Sequence, residues 1–286
     1  MSCDFQQAFK IVRPSVVGIG HRDVSGFHFF GTGFVIDSSG WIMTNRHVLE
    51  CLLTREDNKL KLKVDAVAFL FVQTKLQDSH FKNAGIRSIP IRKFDLRQEA
   101  QKELKRPFST IPGFETVGIL QPETADIGLC KIDLDQCPPE ALPLIPVTAV
   151  DSGGIGEGTP VGYLGFPQGL EIPATSQSSS TSGLQLTPLL QTGVIAGILP
   201  YSGLPKPDAF VLDTYVSGGS SGSPLFGTDG KVIGIVYATR QQFHQLIQID
   251  NNGDCKECAG FGVFLPSALG LAVPSSKFPK EMLCCT

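Results

Sequence analysis

The chain has 286 residues, of which 42% are hydrophobic and 18% are charged, so it can bury a core and is not intrinsically disordered. Its 24 basic and 27 acidic residues give a net charge of −3, so no basic field is expected and a nucleic-acid-binding role is not indicated. Thirty-one Gly and 20 Pro indicate many turns and favour an all-β protein of short strands.

The sequence contains no recognisable targeting or membrane segment. Its N-terminus lacks a basic region followed by an apolar one, so we expect no signal peptide. The longest apolar run, Val64–Val72, has the length of a strand and is too short to span a membrane. Eight Cys in a chain without a leader predict reduced thiols and a cytoplasmic location, with no membrane partner.

The first half of the chain predicts one short helix followed by a series of strands. Asp4 to Val12 is typical of a capped helix that ends before Pro14. A helical turn is expected over 49–53, and the polar segment 73–121, with a helix over 95–105, is interpreted as an inserted excursion. The predicted strands are 15–19, 28–36, 41–44, 64–72 and 125–133.

The second half predicts another strand series after a proline-rich linker at 137–143. Two stretches, 169–182 and 239–259, are expected to be loops, and we considered both a switching role and passive decoration for them. The predicted strands are 159–166, 189–198, 209–215, 231–238 and 260–265.

The stretch 216–226 indicates a tight glycine-rich turn that leads into a strand. Such a turn can expose a serine hydroxyl while backbone N–H groups point at one spot, and these are two requirements of an acyl-transfer site. A flexible Gly/Ser loop is the alternative interpretation, because both residues are common in loops.

Serine-based acyl transfer also needs a base and an acid that orients the base. Of the five His, His47 is the one that ends an apolar strand and begins a helical turn. Asp126 begins an otherwise apolar strand segment, where a buried carboxylate needs partners. A structural histidine and a strand-end turn residue are the alternatives for these two positions.

Three segments together resemble the signatures of chymotrypsin-fold (trypsin-like) serine proteases, in that family's order. They are Thr44–Val48 (TNRHV), Ala125–Leu129 (ADIGL) and Gly219–Leu225 (GSSGSPL). The branch that they resemble most is HtrA/Deg. Supporting matches are Val12–Val17, Gly31–Phe34, Gly193–Gly197, Asp213, Lys231–Ile235 and Gly262–Pro266.

The resemblance implies a single peptidase domain over 1–286, built from two six-stranded antiparallel β-barrels with the active site in the cleft between them. The N-terminal barrel would span about 11–135, with the excursion 73–121 inserted, and the C-terminal barrel about 145–270. It also implies a serine endopeptidase with no cofactor, a polypeptide substrate and, as in many HtrA relatives, a homotrimer. No PDZ domain is expected, because only 20 residues follow Pro266.

Residue by residue, the resemblance makes Ser221 the nucleophile and His47 the general base, which Asp126 orients. The N–H groups of Gly219 and Ser221 would form the oxyanion hole. Tyr215, Thr239 and Gly262 would line the primary specificity pocket. Because none of the three is acidic, we expect small or medium aliphatic residues, not Lys or Arg, before the scissile bond.

One departure from the secreted digestive members concerns activation. Those proteases carry an Asp before the catalytic serine, whereas Ser220 precedes Ser221 here. Activation by cleavage of the chain is therefore not expected. Two other functions remain open: a trypsin-like scaffold without turnover, and an esterase that uses the same triad.

The cysteines offer a possible metal site that we do not favour. Cys255 and Cys258 have the spacing of half a zinc site, and Cys284 and Cys285 could add ligands. With one C-x-x-C and no paired His motif, free thiols are the default and a Cys255–Cys258 disulfide is the other alternative. No metal is therefore assigned from the sequence.

Overall fold

Strands rich in β-branched and aromatic residues form two closed barrels in the computed structural model of the chain. Each barrel has six strands, and the neighbouring strands are antiparallel throughout. The structure describes residues 5–24, 26–57, 59–73, 84–96, 125–137, 144–167, 171–176, 179–184, 188–199, 207–249, 255–280 and 283.

The first barrel follows a short amphipathic helix and has the strand order β1-β2-β3-β8-β7-β6. A second short helix follows β3, and the hairpin β4-β5 lies outside the barrel. The bounds are α1 Phe5–Val12, β1 Val16–Asp23, β2 Gly26–Val35, β3 Trp41–Thr44, α2 Arg46–Glu50, β4 Leu53–Glu56, β5 Lys59–Leu62, β6 Ala66–Gln73, β7 Ala84–Asp95 and β8 Gly128–Ile132. Of the helices in the described part of the chain, none is both long and apolar enough to cross a bilayer.

The second barrel has the order β12-β13-β16-β15-β14-β9, and the hairpin β10-β11 forms a separate small sheet. Its bounds are β9 Pro160–Gly165, β10 Glu171–Ser176, β11 Ser179–Leu184, β12 Leu189–Leu199, β13 Ala209–Leu212, β14 Pro224–Phe226, β15 Val232–Ile249 and β16 Cys255–Pro274. The two closed antiparallel barrels confirm the predicted fold class.

The core consists of one cluster inside each barrel and a third cluster between the barrels. The β9 segment illustrates why both faces of a strand are apolar here. Val161 and Tyr163 point into the second barrel, whereas Leu164 points to the opposite face and joins the cluster between the barrels. That cluster also contains Phe34 of the first barrel. The barrels are therefore held together by buried apolar surface beside the cleft.

Two sequence predictions need correction. The excursion predicted over 73–121 contains a barrel strand, because β7 pairs with both β6 and β8. The stretches expected to be loops, 169–182 and 239–259, carry paired strands: β10 pairs with β11, and the segments 239–249 and 255–259 belong to β15 and β16. The helix predicted over 95–105 and the linker predicted at 137–143 lie mostly outside the described residues.

Candidate active site

His47 and Asp126 meet because two adjacent strands present them at the same end of the first barrel. His47 lies in α2, directly after β3, and Asp126 lies just before β8, which pairs with β3. Their side chains contact through His47 Nδ1 and Asp126 Oδ2 at 2.5 Å, and the His47 backbone N–H donates to Asp126 Oδ1 at 3.1 Å. The imidazole is 47% exposed and the carboxylate 18%, so the base is accessible from solvent and its acid partner is the more buried of the two.

Asn45 fixes the backbone on which this pair depends. Its side-chain amide donates to the Asp126 carbonyl at 2.7 Å, and the residue is buried. Its backbone is extended, and it is the one residue between the end of β3 and the start of α2. Gly128 allows α2 to lie close to the start of β8, since an added Cβ would lie 2.8 Å from Leu49 Cδ1 and 3.2 Å from Arg46 Cα.

The serine turn has two glycines with a positive φ, Gly219 at 90° and Gly222 at 88°. At Gly222, any side chain would also collide with the first barrel, because an added Cβ would lie 1.9 Å from the Thr32 carbonyl oxygen. Glycine is therefore required there by both conformation and space. The turn ends in β14 and is seated directly against β2.

The backbone N–H groups of the turn divide into two sets. Those of Ser220, Gly222 and Ser223 donate to the carbonyls of Ser217, Val236 and Ser220, respectively. By contrast, the N–H groups of Gly219 and Ser221 have no acceptor among the described residues. Backbone donors normally find acceptors when they are protected from water, so two free ones beside a serine hydroxyl form a prepared site for an oxygen ligand.

Thr32 connects the turn to both barrels. Its Oγ1 donates to the Gly219 carbonyl at 2.8 Å and accepts the N–H of Phe166, at the end of β9, at 3.3 Å. Its backbone N–H donates to the Ser221 carbonyl at 2.8 Å. The residue is fully buried, and two of these bonds hold the turn by its Gly219 and Ser221 carbonyls.

Ser221 Oγ lies within 3.4 Å of the Tyr237 carbonyl on β15, and the described residues contain no hydrogen bond between this hydroxyl and His47. Tyr237 contacts Ser221 through its carbonyl, and the charge of Asp126 acts on its phenol. Burial, and then the negative charge of Asp126, raise the pKa of the Tyr237 phenol. The Tyr237 phenol thus lies within reach of the field of Asp126, while its carbonyl contacts the serine.

The three residues predicted to line the specificity pocket are not brought together as expected. Tyr215 is partly exposed beyond β13, and its carbonyl accepts a 2.6 Å hydrogen bond from Tyr163, whose pKa burial raises to about 12. On the β15–β16 ladder, Thr239 pairs with Gly270, and Gly262 pairs six residues further along, with Gln245. At about 3.3 Å per residue, this offset of six residues places Gly262 roughly 20 Å from Thr239 along the ladder.

Gly270 is therefore the glycine that the register places beside Thr239. An added Cβ on Gly270 would lie 2.3 Å from Val216 Cγ2 and 3.4 Å from the Thr214 carbonyl, which flank Tyr215. Sequence reasoning missed Gly270, as it missed Thr32, Asn45 and Tyr237. The only available signals were the positions of Thr32 and Asn45 inside the segments that resemble the family.

The profile of the trypsin-like peptidase domain matches residues 31–235, a range that includes His47, Asp126 and Ser221. The chain belongs to the trypsin-like peptidase family. Its membership confirms the resemblance seen in the sequence and supports a serine peptidase. No curated protein matches the sequence.

Trypsin-like peptidases of the HtrA type are among the similar solved structures. The HtrA-type protease AlgW with a tripeptide is 17% identical, with a TM-score of 0.48; the match covers 95% of this chain and 60% of AlgW. AlgW with a decapeptide is 14% identical, with a TM-score of 0.49 and coverages of 95% and 64%. The chain thus spans less than two thirds of the length of these structures.

Proposed function

We propose that this protein is a serine endopeptidase that hydrolyses peptide bonds through an acyl-enzyme. The observation that carries the proposal is the pair of free N–H groups on Gly219 and Ser221 beside the Ser221 hydroxyl. The His47–Asp126 pair supplies the second requirement, a base whose Nδ1 contacts the carboxylate and whose Nε2 is left for the serine and the substrate. Membership of a peptidase family supports peptide bonds as the substrate.

The reaction follows from these groups. Ser221 Oγ attacks the scissile carbonyl carbon while His47 Nε2 takes its proton, and the oxygen that becomes negative accepts hydrogen bonds from the Gly219 and Ser221 N–H groups. His47 then gives the proton to the leaving nitrogen, the C–N bond breaks, and an acyl-enzyme remains. Asp126 accepts from Nδ1–H throughout and stabilises the imidazolium. Water, deprotonated by His47, releases the acyl group by the same steps.

The test is covalent labelling of the purified protein with a fluorophosphonate probe, followed by mass-spectrometric mapping of the adduct. We expect one adduct on Ser221, because its own N–H and that of Gly219 have no acceptor among the described residues and His47 is the base proposed for its hydroxyl. The Ser221→Ala variant should not be labelled, whereas Ser217→Ala, a matched change on the same turn, should be. An unlabelled wild-type protein, or an adduct on another serine, would contradict the proposal.

The orientation of Ser221 favours a second candidate function, a trypsin-like scaffold without turnover. In the structure its hydroxyl faces the Tyr237 carbonyl, and a rotation is needed before it can bond to His47. Hydrogen bonds of this kind are often long before substrate binds, so the proteolytic function is preferred. Absence of labelling in a folded protein would select the scaffold, and hydrolysis of esters but not peptides would select the esterase.

Substrate preference is a separate prediction. By the resemblance, Tyr215 and Thr239 would take up volume in the pocket, and neither carries a negative charge, so we expect cleavage after small or medium aliphatic residues. A peptide-library cleavage profile with the wild-type protein measures this directly. Dominant cleavage after Lys or Arg would contradict it, because a buried cation needs an acidic partner.

The cytoplasmic location and the homotrimer remain predictions. Cys51, Cys130 and Cys137 are free thiols, which is compatible with a reducing compartment. Cell fractionation and light scattering on the purified protein test the location and the trimer, respectively. The side chains of Cys255 and Cys258 lie outside the described residues, so their predicted state as free thiols stays a prediction too.

A further inference from the structure

Tyr163 of β9 contacts the serine turn at both of its ends. In the β9–β14 ladder it pairs with Leu225, on the strand that leaves the turn. Its phenol O–H donates to the Tyr215 carbonyl at 2.6 Å, just before the turn begins. A single residue therefore joins the entry and the exit of the segment that carries Ser221.

The middle of the turn also reaches Tyr163, through the Ser220 side chain. Both side chains are completely buried, and the Ser220 hydroxyl has no well-aligned hydrogen bond within the described part of the chain. Burial raises the pKa of Tyr163 to about 12, and an interaction with the Ser220 hydroxyl opposes that rise. A hydroxyl that donates toward a phenol oxygen has this effect, so Ser220 Oγ lies beside Tyr163 Oη.

The serine turn depends on such supports because the stretch 216–224 contains no charged side chain. It can form no ion pair of its own, and its conformation therefore rests on hydrogen bonds and packing. Thr32 supplies hydrogen bonds to the turn from the first barrel. Tyr163 supplies the corresponding support from the second barrel.

Ser220 is the residue through which this support reaches the candidate oxyanion site. It stands between Gly219 and Ser221, whose N–H groups have no acceptor among the described residues. The Ser221 N–H belongs to the peptide group that joins it to Ser220, so a shift of Ser220 moves this donor directly. With a pKa of about 12, Tyr163 keeps its proton, and so its donor role, at any pH at which an imidazole base works.

We propose that Tyr163 is a positioning residue of the oxyanion site, an inference that rests on the proposed function. Its phenol holds the turn by the Tyr215 carbonyl and the Ser220 hydroxyl, so that the Gly219 and Ser221 N–H groups stay directed at one oxygen. Tyr163 itself does not touch the substrate. Donors that are held in place in advance need no reorganisation during the reaction, so loss of the support should lower kcat more than it changes KM.

The test is the Tyr163→Phe variant of the full-length protein, which removes one oxygen and keeps the ring. We expect kcat for peptide hydrolysis to fall at least about tenfold, part of the roughly 10²–10³-fold loss seen when an oxyanion donor is removed, with KM changed less than about threefold. Ser220→Ala, alone and combined with Tyr163→Phe, completes a double-mutant cycle in which the second change should cost much less than the first. A folded Tyr163→Phe protein with kcat within about twofold of wild type overturns the proposal.

Ile198→Val is the matched control for lost stability. It removes one methyl group from the same core cluster as Tyr163, and Ile198 pairs with Phe210 in the β12–β13 ladder. This variant should keep wild-type kcat even if its unfolding midpoint falls as far as that of Tyr163→Phe. An equal loss of kcat in both variants would overturn the proposal, because a general loosening of the second barrel would then account for the effect.

Amide hydrogen exchange tests the role of Tyr163 without any need for turnover. The N–H groups of Ser220, Gly222 and Ser223 are hydrogen-bonded in the folded turn, so they should exchange slowly in the wild type and faster in Tyr163→Phe. A wild-type protein that the fluorophosphonate probe does not label, but whose turn loosens in Tyr163→Phe, contradicts the proposed function and supports the role of Tyr163 in holding the turn. Unchanged exchange in Tyr163→Phe overturns that role whatever the labelling shows.

Discussion

Replacing Asp126 by Asn is expected to lower kcat for peptide hydrolysis about 10⁴-fold with little effect on folding. The structure gives the reason through the two oxygens of this carboxylate. Oδ1 accepts the His47 backbone N–H, and Oδ2 faces His47 Nδ1. An asparagine keeps the first bond only if its oxygen stays where Oδ1 is now. Its NH₂ group must then face Nδ1.

This orientation forces the wrong imidazole tautomer. An amide NH₂ can only donate, so His47 Nδ1 must accept and the ring proton moves to Nε2. A protonated Nε2 in a neutral imidazole cannot take the proton of Ser221, and the base is lost although every atom remains close to its place. The defect should therefore appear in kcat, with KM changed much less.

The measurement is steady-state kinetics on a peptide found by library profiling, with the unfolding midpoint recorded for each variant. Asp57→Asn is the matched control, because it makes the same charge change on an exposed residue with a φ of 48°, a conformation that Asn tolerates well. It should keep wild-type kinetics. A fall in kcat of less than about tenfold for Asp126→Asn would show that His47 is not held by this carboxylate during turnover.

The sequence predicted the parts of the site that lie in short contiguous segments. His47, Asp126 and Ser221 each stand in a local pattern, and the structure brings the first two into direct contact. The contributions of Thr32 and Tyr237 could not be predicted, because they arise from contacts between distant segments. Thr32 meets Gly219 across 187 positions of the chain, and nothing in the composition near either residue indicates that pairing.

Strand β7 was missed for a different reason. Its segment contains Pro90 and several charged residues, which argue against a barrel strand. Only Ile89 and Ile91 are deeply buried among its described side chains, because the other positions face outward or lie near the ends of the strand. Closure of the barrel needs a strand between β6 and β8. This requirement comes from the pairing of all six strands, so it cannot be predicted from the composition of the β7 segment alone.

Replacing Thr32 by Val is expected to lower kcat about 10²-fold, the lower end of the loss seen when one oxyanion donor is removed. Valine has nearly the same shape as threonine but cannot hydrogen-bond. The Gly219 carbonyl loses its 2.8 Å donor, and the Phe166 N–H loses its acceptor. A methyl group cannot stay 2.8 Å from a carbonyl oxygen, so the Gly219–Ser220 peptide group must shift, and this displaces the Gly219 and Ser221 N–H groups on either side of it.

The same change should lower the free energy of unfolding by about 1–3 kcal/mol, because the part-buried Gly219 carbonyl and the buried Phe166 N–H each lose their hydrogen bond to Thr32. Thr32→Ser separates the two effects, since it keeps the hydroxyl and removes only a methyl group. We expect Thr32→Ser to retain kcat within a few-fold while losing about 1 kcal/mol of stability for the missing contact. Kinetics and urea unfolding of both variants give the comparison. If Thr32→Val keeps wild-type kcat while losing stability, the hydroxyl stabilises the contact between the two barrels. It then does not hold the turn in its reactive geometry.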